Sequence, residues 1–231
     1  MFTLRRSGER GHGRHGWLDA RHTFSFADYR DPAWMGFGPL RVMNEDRVAP
    51  GRGFGTHPHR DMEIVTVVLE GALQHRDSMG HEAVLRPGEV QRITAGTGIE
   101  HSEVNPSTTE PVHLYQIWLL PDRRGHAPDY AQAAFDPANR KERWQWIAGT
   151  DPGAISLRQD ARNALADLSA EQPLDHAIPA GRRVWLQLLR GAATVGGQAL
   201  APGDGLAAAG ESALHIVGGA GGAELMLFEL P

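Results

Sequence analysis

The apolar positions of this chain fall in short runs separated by turn-forming residues. Leu40–Met43, Ile64–Leu69, Val112–Leu120, Val184–Leu189 and Leu225–Leu230 are the clearest runs, and 28 glycines and 15 prolines punctuate the 231 residues between them. Runs of four to nine residues bounded by glycine or proline predict many short strands, arranged as a sandwich or barrel, with little helix. The run I-V-T-V-V-L at 64–69 is β-branched and stops near Gly71, so it reads as a buried strand. Asp160–Ala170 is ambiguous. Ala161, Ala164, Leu165 and Leu168 have helical spacing, yet the same residues suit a strand lying across from Arg182–Leu189.

The polar positions carry the chemistry. Residues 51–63 read G-R-G-F-G-T-H-P-H-R-D-M-E. In an extended segment, alternation puts His57 and His59 on one face, about 6.6 Å apart along the strand, where two imidazoles can chelate one transition ion. Glu63 lies at an even offset from both and could face the same way. His101-Ser102-Glu103 repeats the two-apart geometry. With 12 histidines in the chain, His-x-His alone is close to a chance occurrence, and surface histidines on a polar loop are the plain alternative. The surrounding spacing raises its weight: Gly51 stands six before His57, Glu63 four after His59, and Gly98-x-x-His101-x-x-x-Asn105 follows.

Composition narrows the chemistry further. There is no cysteine, so any metal site must use nitrogen and oxygen ligands. The net charge is −5 and the basic clusters are only pairs, such as Arg5-Arg6, Arg123-Arg124 and Arg182-Arg183, which argues against direct nucleic-acid binding. No segment has the roughly 18 apolar residues of a membrane span, and the first ten residues lack the apolar stretch of a signal peptide. A cytoplasmic protein is the expectation.

At these motifs the chain resembles the cupin superfamily, whose first motif is G-x5-H-x-H-x3,4-E-x6-G and whose second is P-x-G-x2-H-x3-N. Here they run Gly51, His57, His59, Glu63, Gly71, with the last gap one residue longer, and Gly96, Gly98, His101, Asn105, with glycine in place of proline. The segments H-G-W-L-D-A-R-H-T-F-S-F-A-D-Y (15–29), M-G-F-G-P-L-R-V-M-N-E-D (35–46), G-T-H-P-H-R-D-M-E-I (55–64), A-G-T-G-I-E-H-S-E (95–103) and L-Y-Q-I-W (114–118) look more specifically like a pirin, a bicupin family. The resemblance implies an all-β fold of two tandem jelly-roll cupin barrels. It also implies metal ligation by His57, His59, His101 and Glu103, and so favours Glu103 over Glu63. For Glu63 a hydrogen-bonding role toward a ligand histidine is the preferred reading.

A faint internal repeat agrees with two barrels. Glu63–Gly71 is echoed by Arg183–Gly191, and Pro87-Gly88-Glu89 by Pro202-Gly203-Asp204. On that alignment His57 and His59 fall opposite Ala177 and Pro179, and His101 opposite Ile216; His176 and His215 are each one residue out of register, which on a strand is the opposite face. The expected organisation is a metal-binding barrel over 1–121, a linker over 122–152 and a barrel without ligands over 153–231. His12, His15 and His22, and separately His75, His81, His113 and His126, are read as structural or surface groups. Trp17, Phe24, Phe26, Trp34, Met35 and Phe37 are read mainly as a packed arm, some of them framing an entrance for a flat substrate.

Three imidazoles and a carboxylate leave coordination positions open on one divalent ion per chain. Fe(II) is the first choice, and Cu, Mn, Co, Ni or Zn also suit the donors. By resemblance the activity is that of a quercetin 2,3-dioxygenase: Glu103 takes the 3-hydroxyl proton of a flavonol, and dioxygen cleaves the central heterocycle with release of carbon monoxide. The alternative implied by the family is a non-enzymatic, redox-gated regulator of other proteins. A monomer is expected by analogy, the second barrel covering what single cupins bury by dimerising.

Overall fold

The computed structural model describes all 231 residues, Met1–Pro231. Helix is confined to two 3-10 turns, Ser7–Glu9 and Pro137–Arg140. The strands are β1 (Phe2–Arg5), β2 (Gly11–Arg14), β3 (Leu18–His22), β4 (Leu40–Val48), β5 (Gly53–His59), β6 (Glu63–Glu70), β7 (Leu73–Asp77), β8 (Glu82–Leu85), β9 (Glu89–Thr94) and β10 (Ile99–Val104). There follow β11 (Val112–Leu119), β12 (Asp129–Ala134), β13 (Gln145–Ala148), β14 (Arg162–Leu168), β15 (Pro173–Ala177), β16 (Arg183–Val195), β17 (Gln198–Leu200), β18 (Gly205–Ala209) and β19 (Ala213–Leu230). No helix is long and apolar enough to cross a membrane.

The strands divide between two compact units. One comprises Gly11–Phe135 with Leu157–Gln159. It contains a seven-stranded sheet ordered β12-β9-β6-β11-β4-β3-β2 and a four-stranded sheet ordered β5-β10-β7-β8. β6, the β-branched run, sits inside the larger sheet between β9 and β11, and Glu63 through Leu69 are all buried. Strands covered on both faces read as continuous apolar runs, which explains why this one was conspicuous. It stops at Gly71, whose φ is +77°. A Cβ there would lie 2.7 Å from the Pro111 carbonyl oxygen, so the turn requires glycine.

The other unit comprises Met1–Arg10, Asp136–Ser156 and Asp160–Pro231, and holds one eight-stranded sheet. Its central path is β1-β18-β16-β19-β14-β13. Leu186, Leu188, Leu206, Leu214, Ile216, Leu225 and Leu227 form its apolar core. Asp160–Ala170 resolves as strand β14, but its neighbours are β13 and β19 rather than β16. Ala164, Leu165 and Ala166 are all buried, so consecutive apolar residues facing opposite sides mimicked helical spacing.

Two boundaries differ from the expected ones. The stretch 122–152 is not simply a linker: β12 pairs with β9 in the first unit, and β13 pairs with β14 in the second. Residues 1–10 belong with the C-terminal unit, because β1 pairs antiparallel with β18 from Phe2↔Ala208 to Arg5↔Gly205. Each added strand satisfies a sheet edge that would otherwise expose unpaired backbone groups, a long-range demand that local apolar periodicity does not register.

The repeated Pro-Gly-acid turns are the same device in both units. Gly88 and Gly203 adopt φ of +87° and +83°. Glu89 accepts the Arg86 N–H at 2.8 Å, and Asp204 accepts the Ala201 N–H at 3.1 Å. Asp204 does more: it also accepts from the Arg6 guanidinium at 2.8 Å and the Ser7 N–H at 2.7 Å, so it ties the N-terminal segment to its unit. Asp204→Ala is expected to lower stability by about 1–3 kcal/mol and to speed amide exchange across Phe2–Arg5. Urea unfolding with hydrogen-exchange mass spectrometry checks both.

Candidate metal centre

The cluster is built on β10, which lies between β5 and β7. On one side His101 pairs with His57, and on the other with Asp77. The register of β10 on β5 shifts between His101 and Glu103, so that Glu103 comes opposite Phe54. A bulge of this kind re-aims a side chain. The rings of His57, His59 and His101 lie mutually 4.5–4.8 Å apart between centroids. Their candidate ligand atoms all lie within 4.8 Å of one another.

The hydrogen bonds specify which atoms are free. His57 donates from Nδ1 to the Gly55 carbonyl at 2.8 Å, which leaves Nε2 as a lone pair. That atom is 3.0 Å from His101 Nε2, so a proton or a cation must lie between them. His59 Nε2 is buried with no hydrogen-bond partner. Glu103 is buried; its Oε2 accepts from the Gln116 amide at 2.6 Å while Oε1 has no partner. Trp118 Nε1–H donates to Gln116 Oε1 at 3.2 Å and so fixes which way that amide points. Buried acceptors left unpaired, as His59 Nε2 and Glu103 Oε1 are, are costly unless something electropositive meets them. Three nitrogens and one oxygen are a donor set that fits a divalent transition ion.

The electrostatics point the same way. Burial, reinforced by the neighbouring His57, lowers the pKa of His59 to about 4. Burial and the surrounding imidazoles of His57, His59 and His75 lower that of His101 to about 3. Both rings are therefore neutral at pH 7 and able to ligate. Burial raises Glu103 to about 7 against the opposing hydrogen bond from Gln116. Asp46 is pushed up to about 8 by burial and then by Glu103, Glu45 and Asp19.

A cavity of about 230 Å³ adjoins the cluster. His57, His59 and Glu103 form part of its wall, with Asn44, Asp46 and Gln116 as further polar groups and Phe26, Phe54 and Trp118 as aromatic faces. Phe26 meets Trp118 edge-on at 5.4 Å, and Trp17 backs Phe54 at 5.3 Å. Of the N-terminal aromatics, then, Phe26 reaches the cavity, whereas Phe24 is fully buried against Trp34. His22 also lines the cavity, its Nδ1 2.9 Å from Asn44 Oδ1.

Glu63 does neither of the things its spacing suggested. It is buried and accepts the Arg158 N–H at 3.0 Å, with Thr94 as a further partner, and burial raises its pKa. The even-offset argument requires an unbroken strand, but β5 ends at His59 and Asp61 adopts φ of +48°. In the C-terminal unit, His215 is exposed and bonded to Asp175, and His176 is buried beside Glu229 between Trp144 and Trp146. Periodicity also missed Asp46, Gln116 and, above all, His75, whose Nδ1 lies 3.5 Å from that of His101. The spacing His75-x-Asp77 was the available signal.

Residues 3–119 match the family described as Pirin, and residues 147–230 match the quercetinase C-terminal cupin domain. A relative named quercetin 2,3-dioxygenase from Escherichia coli (strain K12) is 47% identical over 233 residues, covering 100% of this chain and 99% of its own. The crystal structure of YhhW from Escherichia coli superposes with a TM-score of 0.96 at 47% identity, covering 100% and 98% of the two chains. Bacterial pirin YhhW in complex with nickel(II), also from Escherichia coli, gives 0.95 at 45% identity, covering 100% and 99%. A quercetin 2,3-dioxygenase from Acinetobacter baumannii, 19% identical with a TM-score of 0.79 and coverage of 98% and 85%, shares the fold.

The opposed shifts set a pH dependence for the metal-free protein. The lowered histidines contribute stability above their ordinary 6.5 that is lost as pH falls through about 4 and 3. The raised carboxyls contribute stability at low pH that is lost as pH rises through about 7 and 8. The slopes offset one another near pH 5–6, and above 6.5 the carboxyls alone act. In chelator, urea unfolding is expected to show stability falling between pH 6.5 and 8.5 by about 1–3 kcal/mol, and Asp46→Asn is expected to remove much of that fall. A bound cation, which favours the Glu103 carboxylate, is expected to flatten it.

Proposed function

The chain belongs to the pirin family, and from that membership we propose that it is a metal-dependent dioxygenase that opens the central heterocycle of flavonols such as quercetin. His57, His59 and His101 hold the ion through Nε2, and Glu103 through Oε1. The observation that carries this reading is the clustering of His57, His59 and His101, whose ligand atoms lie within 4.8 Å of one another, with the unpartnered His59 Nε2 and Glu103 Oε1 belonging to residues on the wall of an aromatic-lined cavity. A cavity beside the ion supports substrate chemistry over a purely regulatory role, which would be served by a closed site. Fe(II) is the proposed ion. The nickel complex of the Escherichia coli pirin supports a site of this type without selecting the metal.

When bound, the ion supplies Lewis-acid binding of a substrate oxygen and a place for dioxygen to meet it. The side chains do the rest. At about 230 Å³ the cavity is smaller than the roughly 300–1,000 Å³ of ordinary ligand pockets, so it receives the reacting end of a flat substrate. Phe26, Phe54 and Trp118 cover that end and exclude water. Burial, which raises Glu103 to about 7 in the metal-free protein, makes it a stronger base than an ordinary carboxylate and suits it to taking the 3-hydroxyl proton. Gln116 holds one carboxylate oxygen and leaves the other for the proton. Ligation would weaken the carboxylate as a base, so Glu103 would take the proton on an Oε1 not engaged by the ion. The products are carbon monoxide and a depside.

Oxygen uptake with quercetin, on protein stripped and reloaded with Fe(II), tests the reading. Uptake is expected in the parent and absent in His101→Ala. Glu103→Gln is expected to retain most of the metal and to lose turnover by roughly 10²–10⁴-fold; parallel loss of metal and activity would reduce Glu103 to a ligand. Absence of uptake with Fe, Mn, Co, Ni and Cu alike would sink the flavonol reading and favour the regulatory one.

A further inference from the structure

Behind His101 lies a buried chain of polar groups that the proposed reaction does not use. His101 Nδ1 is 3.5 Å from His75 Nδ1, at the long end for an N–H···N contact. His75 Nε2 is 3.1 Å from Asp77 Oδ2. Asp77 in turn accepts from the Met79 N–H at 2.9 Å and the His81 N–H at 3.0 Å, and lies 3.0 Å from His81 Nδ1. The side chains of His75 and Asp77 are 0% exposed, whereas that of His81 is 43% exposed, so the chain runs from the candidate ligand to the surface. Tyr130 stacks against both rings, at 4.9 Å and 22° from His75 and at 4.7 Å and 17° from His81.

We propose that His75 and Asp77 are positioning residues for His101, fixing its tautomer and ring orientation so that Nε2 is presented to the ion. The direction of every proton follows. A carboxylate can only accept, and hydrogen bonds from His75, from the backbone and ring of His81 and from the Met79 backbone outweigh burial and hold Asp77 ionised. His75 therefore carries its proton on Nε2 and gives it to Asp77. Its Nδ1 is then a lone pair, which accepts the Nδ1–H of His101. That leaves His101 Nε2 bare and makes it a stronger donor, as partners behind metal-bound histidines generally do. Register builds the chain: on β7, Asp77 lies opposite His101 and His75 opposite Glu103. Met79 and His81, in the turn between β7 and β8, anchor Asp77 at the far end.

This inference rests on ligation by His101 but not on the reaction. The probe is zinc alone. Long-range proton–nitrogen NMR on the zinc-loaded parent is expected to show His101 protonated at Nδ1 and His75 protonated at Nε2 only. A proton on His75 Nδ1 would overturn the proposal. By chelator competition, His75→Phe, which keeps a ring against Tyr130, is expected to weaken zinc about 10–100-fold. His75→Gln, which offers a carbonyl oxygen to His101, is expected to recover most of that loss. Unchanged zinc affinity in both His75→Phe and Asp77→Ala would also overturn it. Unchanged affinity in His101→Ala would instead defeat the metal-site reading itself, so the two failures are distinguishable.

Discussion

The site depends on the register of one strand. β10 pairs with β5 on one edge and β7 on the other, and that pairing sets His101 beside both His57 and Asp77. A slip of one residue would turn every side chain of β10 to the opposite face, sending His101 and Glu103 away from the other imidazoles together. The bulge lies on β5 between Phe54 and His57 and sets which β5 residue Glu103 faces, while β10 stays in regular register with β7. One strand thus supplies a nitrogen and an oxygen from adjacent same-face positions. Its neighbours supply two more nitrogens on one side and their hydrogen-bonded support on the other.

The electrostatics of the interior follow from that convergence. Low-dielectric surroundings cannot hold several like charges, so His59 and His101 are driven neutral and the carboxyls Asp46 and Glu103 are driven toward their protonated forms. Without an ion, His57 Nε2 and His101 Nε2 share a proton at 3.0 Å while His59 Nε2 and Glu103 Oε1 have no partner. A divalent cation would resolve the conflict by giving the imidazoles a common partner and the carboxylate a counter-charge. Gln116, held by Trp118 and bonded to Glu103, keeps one oxygen occupied so that the other stays aimed. Asp77, already saturated with donors, does the corresponding work behind His101.

The two units share a turn and a strand pattern but not the chemistry. Gly88 and Gly203 open equivalent turns closed by an acid on a backbone N–H, and β6 and β16 begin the matching apolar strands. In the second unit the acid also binds Arg6 and Ser7, so Asp204 holds the N-terminal segment as well as its own turn. His176 sits among Trp144, Trp146 and Glu229, and His215 faces outward to Asp175, so the imidazoles there do not converge.

Features that arise within one strand were legible in the sequence. Alternation alone placed His57 with His59 and His101 with Glu103. The β-branched run announced β6, and the lack of cysteine restricted the donors to nitrogen and oxygen. The spacing of the glycines and histidines carried the family. Tertiary structure decided what no local pattern encodes. Asp61 in a left-handed conformation ended the alternation that would have brought Glu63 into the site. Cross-strand register put His75 behind His101, and contact between the two sheets of that unit put Gln116 against Glu103. Edge pairing drew residues 1–10 into the C-terminal unit and made strands of a stretch that reads as a linker. The physical reason is common to all three. The side-chain period of a strand is a property of its own backbone, whereas turns, register and edge satisfaction are settled only by residues far apart in the chain.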